Sequence, residues 1–350
     1  MCNPHIINTC WLTVNRKCQL RCRWCYAQDG GYTSEQDMKL EQAFQIIDIM
    51  QGLGTQTCKL LGGEPSLYPH LTDVLAHLRT SGICSVMITN GLVYADKRII
   101  QEHFAAGLDS LVISLKAGTP ESYKRLTGAP VFGKVCAAVG NLADFKGGVT
   151  ITITEEIKDE IVPAIRSIVY AGARFINLHF CSPTLVSGLP ENHSMLEPNI
   201  AAETLLRAVE CLDALPVTYN VQISIPFCLF PSSFIQTLIE KKCLTSGCIV
   251  NKKSGLIFGP QGEVGFCNHM MDYPFGKYGV NFSSAEELQT LYLSQDHFFQ
   301  ITNRAPSHKC LECPVRHLCC GGCPLQWTQF DPQAYVKGGD EFKGLSSALK

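Results

Sequence analysis

The chain has 350 residues, of which 46% are hydrophobic, and a formal net charge of −2 with a pI near 6.5. This length allows one large domain with a full core and a smaller second one. The charge provides no basic surface for nucleic acid or anionic membranes, and the sequence shows neither an export signal nor an apolar run that spans a bilayer. We therefore expect a cytoplasmic protein.

Nineteen cysteines are a high number for such a chain. Without an export signal, we expect reduced thiols that are available to metal rather than disulfides. Their distribution is uneven, with three in the loop 18–25 and eight between Cys243 and Cys323.

The first group is Cys18, Cys22 and Cys25, directly after an apolar segment at residues 6–14. Three thiolates on one short loop can bind three irons of a cubane cluster and leave the fourth iron open to a small molecule. The alternatives are a zinc site or chance. Zinc knuckles usually present paired C-x2-C units and a fourth ligand, which this loop lacks locally.

Residues 5–225 alternate between strand-like and helix-like stretches, which predicts a parallel sheet covered by helices. The predicted strands are 10–17, 55–61, 84–89, 109–115, 148–154 and 174–181. The predicted helices include 40–52, 68–81, 95–106, 131–145 and 159–171. Six βα units are typical of a partial barrel or of a flat sheet.

Two predicted strands carry polar side chains at every second position. Residues 149–154 place threonine on one face, and one face of 175–181 carries Asn177, His179 and Cys181. A parallel strand buried on both faces is continuously apolar instead, so we infer a polar lumen. The alternative is that the threonines are simply good β-formers.

Several of these residues are candidates for chemistry. His179 is a candidate general base, or a structural histidine with satisfied hydrogen bonds. Cys181 and Cys228 are candidate hydrogen-atom donors, or small buried residues.

Further motifs follow the predicted strands, at the end where α/β barrels place their chemistry. They are Gly62-Gly63-Glu64-Pro65, Thr89-Asn90-Gly91 and Ser114-Leu115-Lys116. The two glycines allow a ligand to approach the backbone closely, and the free carbonyls suit an ammonium, which only donates hydrogen bonds.

The three-cysteine loop and the Gly-Gly-Glu-Pro element together resemble the radical S-adenosylmethionine (SAM) superfamily. The resemblance implies a partial (β/α)6 barrel and a [4Fe-4S] cluster on Cys18, Cys22 and Cys25. It further implies that SAM chelates the open iron and is reductively cleaved to a 5′-deoxyadenosyl radical, which abstracts hydrogen from a substrate.

The resemblance also implies which residues contact SAM. The Gly62–Pro65 element meets the SAM amino group, Ser114 donates to its carboxylate, and Trp24 lies near the adenine or is a packing residue. The expected set of contacts is Trp24, Gly62, Gly63, Glu64, Pro65, Asn90, Ser114, Arg125 and Leu178.

Three of these expectations carry open alternatives. Arg125 binds a carboxylate or forms a surface salt bridge. Leu178 lines the adenine pocket by resemblance, which conflicts with the inward face of Asn177 and His179. Lys116 stands where relatives have an acidic residue; it pairs with a carboxylate or is solvated.

The composition changes near residue 226, so we expect a barrel over 1–226 and a cysteine-rich module over 227–350. Its spacings are Cys243-x4-Cys248-x13-Gly262-x4-Cys267 and Cys310-x2-Cys313-x5-Cys319-x3-Cys323. They resemble the SPASM domain, which carries auxiliary iron–sulfur clusters. Zinc is the alternative, because C-x2-C units favour it.

By this resemblance Cys243, Cys248, Cys267 and Cys323 ligate a first auxiliary cluster, and Cys310, Cys313 and Cys319 a second. The family has one more cysteine after the last motif, whereas residues 324–350 contain none. The second cluster therefore has an open iron, uses Cys320 or a ligand such as Asp331, or does not form.

The resemblance implies maturation of a ribosomally made peptide, helped by a flavodoxin- or ferredoxin-type reductant. Only seventeen residues precede Cys18, so we expect a separate leader-binding protein or recognition by the barrel. His269 and Asp272 are candidate substrate contacts. The alternatives are formylglycine formation, oxidation or epimerisation of a small carbohydrate or aminocyclitol, and a noncatalytic iron–sulfur or zinc protein.

Overall fold

The computed structural model describes residues 7–27, 34–186, 189–191 and 194–343. Its strands are β1 (Thr9–Thr13), β2 (Thr57–Leu61), β3 (Cys84–Thr89), β4 (Ser110–Leu115), β5 (Gly147–Ile153), β6 (Phe175–Phe180), β7 (Thr184–Val186), β8 (Leu189–Glu191), β9 (Thr218–Ile223), β10 (Leu244–Ser246), β11 (Gly255–Phe258), β12 (Glu263–Gly265) and β13 (Gly276–Lys277).

Helices alternate with most of these strands. They are α1 (Leu40–Gly52), α2 (Leu71–Thr80), α3 (Lys97–Ala106), α4 (Pro120–Thr127), α5 (Phe132–Leu142), α6 (Ile161–Tyr170), α7 (Pro198–Asp213), α8 (Ser232–Glu240), α9 (Ala285–Leu293), α10 (Asp296–Thr302), α11 (Arg316–Cys319) and α12 (Pro332–Tyr335).

Strands β1 to β6 lie side by side in chain order and all pair in parallel. This is the arrangement that the six alternating units predict, because a helix crossover returns each strand to the same edge of the sheet. The α/β prediction is confirmed. Over the described residues the sheet is open, with β10 at one edge and β13 at the other.

The two faces of the sheet differ in burial. One face packs on the helices and is wholly buried; Leu12, Leu60, Ile113 and Ile176 on it are 0% exposed. On the other face, many residues are only partly buried, among them Trp11, Lys59, Val112 and His179. The sheet therefore has a sealed helical side and an accessible side, which we call the lumen face.

Residues after 226 extend the same sheet at both edges. Strand β10 pairs with β9, and β11 pairs with β1, in both cases in parallel. Strands β12 and β13 then continue the sheet antiparallel. The domain boundary at 226 falls just after β9 and stays a prediction. No helix in the described part of the chain has the length and apolar character to cross a membrane.

Candidate active site

The three-cysteine loop leaves the carboxyl end of β1 and lies against the end of α4. The backbone N–H groups of Arg21 and Arg23 donate to the carbonyls of Thr127 and Leu126, at 2.9 and 3.2 Å. Burial raises the pKa of Cys18 to about 11, and the nearby Cys22 and Cys25 raise it further. The fold thus holds three partly buried thiols together at the edge of the sheet where ligands bind in α/β proteins.

The Gly62–Pro65 element packs directly on the segment that leads into this loop. Gly63 N–H donates to Asn15 O at 2.9 Å, and Glu64 N–H donates to Lys17 O at 2.7 Å. A Cβ on Gly62 would lie 2.1 Å from Asn15 Oδ1, and one on Gly63 would lie 2.2 Å from Arg16 O. The two glycines are therefore needed because a side chain would clash with the segment leading into the loop. The sequence suggested a different reason, the close approach of a ligand to the backbone.

Glu64 connects the ends of β2 and β3. Its carboxylate is 1% exposed and accepts from Ser66 N and Oγ, from Thr89 Oγ1 at 2.6 Å and from Asn90 N at 2.7 Å. Burial raises the pKa of this carboxyl group, and the hydrogen bonds lower it. Asn90 is fixed in turn with its Nδ2 3.9 Å from Cys18 Sγ. Glu64 thus acts as a positioning group for the residues around the cysteine loop.

The polar residues predicted for β5 and β6 do share the lumen face. His179 bonds to Thr150 Oγ1 through Nδ1 at 3.1 Å and to Thr152 Oγ1 through Nε2 at 2.9 Å. Asn177 Nδ2 donates to Thr150 Oγ1 at 3.3 Å, and its Oδ1 accepts from Asn220 on β9 at 2.8 Å. The result is a continuous polar strip across three strands.

Two lysines face the same lumen. Lys116 Nζ donates to Ser114 Oγ at 2.6 Å and lies close enough to lower the pKa of Cys22. Lys59 on β2 lies 5.0 Å from the centre of the Trp11 ring, and burial lowers the pKa of its ammonium. Within the described ranges neither forms an ion pair with a carboxylate. Lys116 is half-buried and bound to Ser114, so the side chain is only partly in contact with solvent.

Sequence reasoning missed Lys59, although its signal was present. Residues 57 and 59 alternate with the buried Cys58 and Leu60, so parity alone places Lys59 on the lumen face. A lysine on that face brings a positive charge among half-buried polar groups, where it favours an anionic partner.

Both candidate histidines are neutral at pH 7. Burial lowers the pKa of His179 to about 4, helped by the charges of Lys116, His269 and Lys59. Burial also lowers the pKa of His269 to about 4, and its Nδ1 is buried without a hydrogen-bond partner among the described residues. A neutral imidazole is able to accept a proton, so the general-base role of His179 stays a prediction.

The stretch after Cys267 reaches back to the N-terminal loop. The rings of His269 and Tyr26 have centroids 6.0 Å apart, and Asp272 forms an ion pair with Arg16 at 3.3 Å. Asp272 is therefore bound to Arg16, while His269 remains available to a ligand.

Three of the four cysteines expected at the first auxiliary cluster lie together. The pKa of Cys267 is raised to well above its usual range by burial and by Cys248 and Cys323, and the pKa of Cys323 by burial and by Cys248. Cys243 is the exception. It precedes β10, beside Tyr219, Asp213 and Lys241, whereas Cys248 follows that strand. The assignment of Cys243 as a ligand is therefore corrected.

The second expected set, Cys310, Cys313 and Cys319, also lies together, since the charge of Cys313 raises the pKa of both others. Cys228 lies with this set rather than on the lumen face, because Phe227 N donates to Cys319 Sγ at 3.3 Å. Its role as hydrogen-atom donor is thereby corrected. Cys181 follows β6 and is buried enough to raise its pKa to about 12.

Three expected SAM contacts have other surroundings. Leu178 is 0% exposed in the core on the helix side of the sheet. Its side chain therefore points in the direction that the alternation along the strand predicts, and not into the expected adenine pocket. The Arg125 side chain is 55% exposed, and its Nη2 lies 3.8 Å from Glu160 Oε1. This is the surface salt bridge that the sequence analysis gave as the alternative to carboxylate binding. Trp24 is partly buried against the core, next to the loop where the adenine was expected.

The donor chemistry of these cysteine groups fits iron–sulfur clusters. In the part of the chain that is described, no three His, Cys, Asp or Glu side chains converge on the position of a single metal ion. A four-iron cluster does not need such convergence, because each cysteine binds a different iron. The N-terminal group has three thiols, which suits a cluster with one iron left for SAM.

An α/β sheet with a three-thiol loop, a glycine-rich turn and a polar lumen at one edge has the thiol donors for a four-iron cluster with one open iron. Residues 12–168 match the model of the Radical SAM superfamily. This part of the chain therefore resembles the radical SAM superfamily, in agreement with the resemblance that the sequence motifs indicated.

Curated relatives match a limited part of the chain. A probable GTP 3′,8-cyclase of Metallosphaera sedula is 32% identical over 129 residues, which are 37% of this chain and 40% of that one. The GTP 3′,8-cyclase of Chlorobaculum tepidum is 29% identical over 132 residues, 37% and 39% of the two chains. The chain thus spans about two fifths of the length of these relatives.

Solved structures match nearly the whole chain. The structure of native anSMEcpe with bound AdoMet and Cp18Cys peptide has a TM-score of 0.66 at 16% identity, covering 97% of this chain and 94% of that one. Streptococcus suis SuiB bound to precursor peptide SuiA has a TM-score of 0.69 at 14% identity, covering 94% and 74%. At these identities the likeness establishes the fold.

Proposed function

We propose that this chain is a radical SAM enzyme that abstracts a hydrogen atom from a ribosomally made peptide. One observation carries the proposal: the loop of Cys18, Cys22 and Cys25, the Gly62–Pro65 turn and a cationic lumen face meet at one edge of the sheet. The segment after Cys267 lies beside them.

A cluster on the three thiols, when bound with SAM, supplies the one-electron cleavage that yields a deoxyadenosyl radical. The other residues position the reactants. The Gly62 and Gly63 carbonyls accept from the SAM ammonium, because those of Glu64 and Pro65 already accept hydrogen bonds within the fold. Ser114 with Lys116 binds the SAM carboxylate. The apolar helix side of the sheet and the packed N-terminal loop exclude water from this edge.

The lumen supports an acidic substrate group. Lys59 and Lys116 present ammonium groups without a carboxylate partner in the described ranges, and His269 Nδ1 is free to bind a ligand atom. An acidic side chain or a peptide terminus satisfies these groups. The peptides bound in the structures of anSMEcpe and Streptococcus suis SuiB support a peptide as the substrate.

A second candidate is cyclisation of a purine nucleoside triphosphate. The curated relatives are named GTP 3′,8-cyclases, and two lysines in the lumen suit phosphate as well as carboxylate. We rank it second, because those matches cover less than two fifths of this chain. No specific contact favours a carbohydrate or an aminocyclitol.

Two partner proteins are part of the proposed function. A flavodoxin- or ferredoxin-type protein reduces the cluster, and a separate leader-binding protein presents the peptide. A cytosolic location follows from the same chemistry, since reduced thiols are maintained there.

The test is release of 5′-deoxyadenosine from SAM by anaerobically reconstituted, reduced protein. Cys22→Ala should abolish release, and Cys136→Ala, on α5 away from the site, should not. Candidate acidic peptides and GTP are added in parallel, and the substrate is the one that accelerates release and changes mass. Faster release with GTP alone would overturn the peptide proposal. No release from iron-loaded wild type with any substrate would favour a noncatalytic iron–sulfur protein.

A further inference from the structure

Cys228 is a buried cysteine that belongs to neither spacing pattern of the C-terminal region. It lies in the turn Phe227–Leu229, which follows β9, and is 9% exposed. The chain just before it is bound to the cysteine-rich segment, since Cys323 N–H donates to Ser224 O at 2.7 Å. Phe227 N–H donates to Cys319 Sγ at 3.3 Å. The turn thus brings Cys228 to the second cysteine group from upstream.

The segment 336–339 covers this group from the other side. Lys337 N–H donates to Cys228 Sγ at 3.4 Å, and a Cβ on Gly339 would lie 2.2 Å from Cys313 Sγ. Lys309, next to Cys310, donates to Val336 O at 3.4 Å. One short stretch therefore contacts the sulfurs of Cys228 and Cys313 and the neighbour of Cys310, so Cys228 lies on the same side of the second group as this segment.

Electrostatic coupling agrees with this placement. After burial, the charge of Cys228 contributes to raising the pKa of Cys310, of Cys313 and of Cys319. The position of Cys228 itself is given by the contacts of Phe227 N–H with Cys319 Sγ and of Lys337 N–H with Cys228 Sγ.

The two other candidates for the fourth ligand each have an interaction outside the second group, although Cys320 also lies beside that group. The charge of Cys320 raises the pKa of Cys248, a member of the first auxiliary group. Cys320 also lines a surface cavity with Cys310 and Cys313, so it is the appropriate control. The carboxylate of Asp331 accepts from Gln333 N at 2.9 Å and caps α12.

We propose that Cys228 is the fourth ligand of the second auxiliary cluster, together with Cys310, Cys313 and Cys319. The assignment rests on the proposed function only in taking the C-terminal thiols as cluster ligands. Each thiol binds iron as a thiolate after losing its proton. The N–H groups of Phe227 and Lys337 then stabilise the sulfurs of Cys319 and Cys228. With four protein ligands the cluster has no open iron, so it carries electrons and does not bind substrate.

The experiment counts iron in a background that lacks the N-terminal cluster. Full-length protein with Cys18, Cys22 and Cys25 changed to Ala is reconstituted anaerobically and analysed for iron, sulfide and the EPR spectrum of the reduced state. Adding Cys228→Ala should remove about one to four irons per chain and the signal of one cluster. Adding Cys320→Ala, or Cys211→Ala on α7, should leave the second-cluster signal unchanged.

The outcomes separate this proposal from the proposed function. Unchanged iron and EPR in the Cys228→Ala protein, with loss in the Cys320→Ala protein, would overturn the assignment while leaving SAM cleavage intact. If Cys228→Ala does not fold, Cys228→Ser serves, because it keeps the volume: an altered second-cluster signal supports the assignment, and an unaltered one overturns it. A background protein that binds no iron would refute auxiliary clusters altogether, without affecting the deoxyadenosine test.

Discussion

Arg16 and Asp272, 256 positions apart in the chain, form an ion pair with 3.3 Å between Nη2 and Oδ1. Arg16 precedes the three-cysteine loop, and Asp272 follows the first auxiliary group. The guanidinium side chain is 8% exposed and the carboxylate side chain 36%. The pair therefore links the segment after Cys267 to the segment that leads into the three-cysteine loop.

Asp272→Ala tests this link. It leaves a buried guanidinium without its partner, so we expect a loss of about 1–3 kcal/mol in the free energy of unfolding. Asp144→Ala, which removes the exposed partner of Lys97, should cost much less, because solvent screens that pair. Urea unfolding of the iron-loaded proteins measures both. Equal midpoints for the two variants would refute the link.

Gly63→Ala tests the packing of the glycine-rich turn. The added Cβ would lie 2.2 Å from Arg16 O and 2.6 Å from Lys17 O, both backbone atoms, so the segment leading to Cys18 must move. We expect lower stability by more than about 1 kcal/mol and weaker binding of SAM.

The matched control is Gly133→Ala on α5. A Cβ there meets nothing within 4 Å, so the substitution should stabilise the helix by about 0.5–1 kcal/mol. Thermal unfolding and SAM titration of both variants distinguish the two effects. SAM affinity equal to wild type in Gly63→Ala would show that the turn tolerates the shift.

The lowered pKa of His179 predicts that the stability of the folded chain depends on pH. Its pKa falls from 6.5 in the unfolded chain to about 4 in the folded lumen. As the pH drops through this window the unfolded state takes up a proton that the folded state does not, so the neutral imidazole stabilises above about pH 6.5 and this contribution is lost toward pH 4. We expect about 1–3 kcal/mol.

His179→Gln removes this contribution, so its stability should change less than that of wild type between pH 6.5 and 4. Denaturant unfolding at several pH values measures the difference between the two proteins. His297→Gln, at an exposed position of α10, is the control for losing one imidazole. A slope in His179→Gln identical to wild type would contradict the prediction.

Sequence patterns predicted those features that depend on neighbouring residues. Strand positions and the polar face of Thr150 and His179 follow from a period of two, which is a local property. The same parity correctly placed Leu178 in the core, against the expectation from resemblance. Local pattern thus described side-chain direction better than analogy did.

Features that depend on tertiary contacts were not predictable in the same way. The sequence left Lys116 either paired with a carboxylate or solvated, and did not predict its hydrogen bond to Ser114. Cys228 was interpreted as a hydrogen-atom donor or a small buried residue, since its approach to Cys319 depends on how β9 and the segment 319–323 meet. Cys243 matched a spacing pattern, but a strand between two cysteines places them at opposite ends.

Cys243 provides the sharpest test of that last correction. Its Sγ donates to Leu238 O at 3.6 Å and lies near Tyr219, whereas Cys248 couples to Cys267 and Cys323. We therefore expect Cys243→Ala to keep the wild-type iron content and EPR spectrum, with a stability loss of about 1 kcal/mol from the buried cavity. Cys248→Ala should lose iron and the signal of the first auxiliary cluster, because it removes one of the thiolates that lie together in that group. Iron analysis of the two purified proteins decides the matter: loss of iron in Cys243→Ala would restore the assignment that the spacing suggested, and would mean that β10 rearranges when the cluster binds.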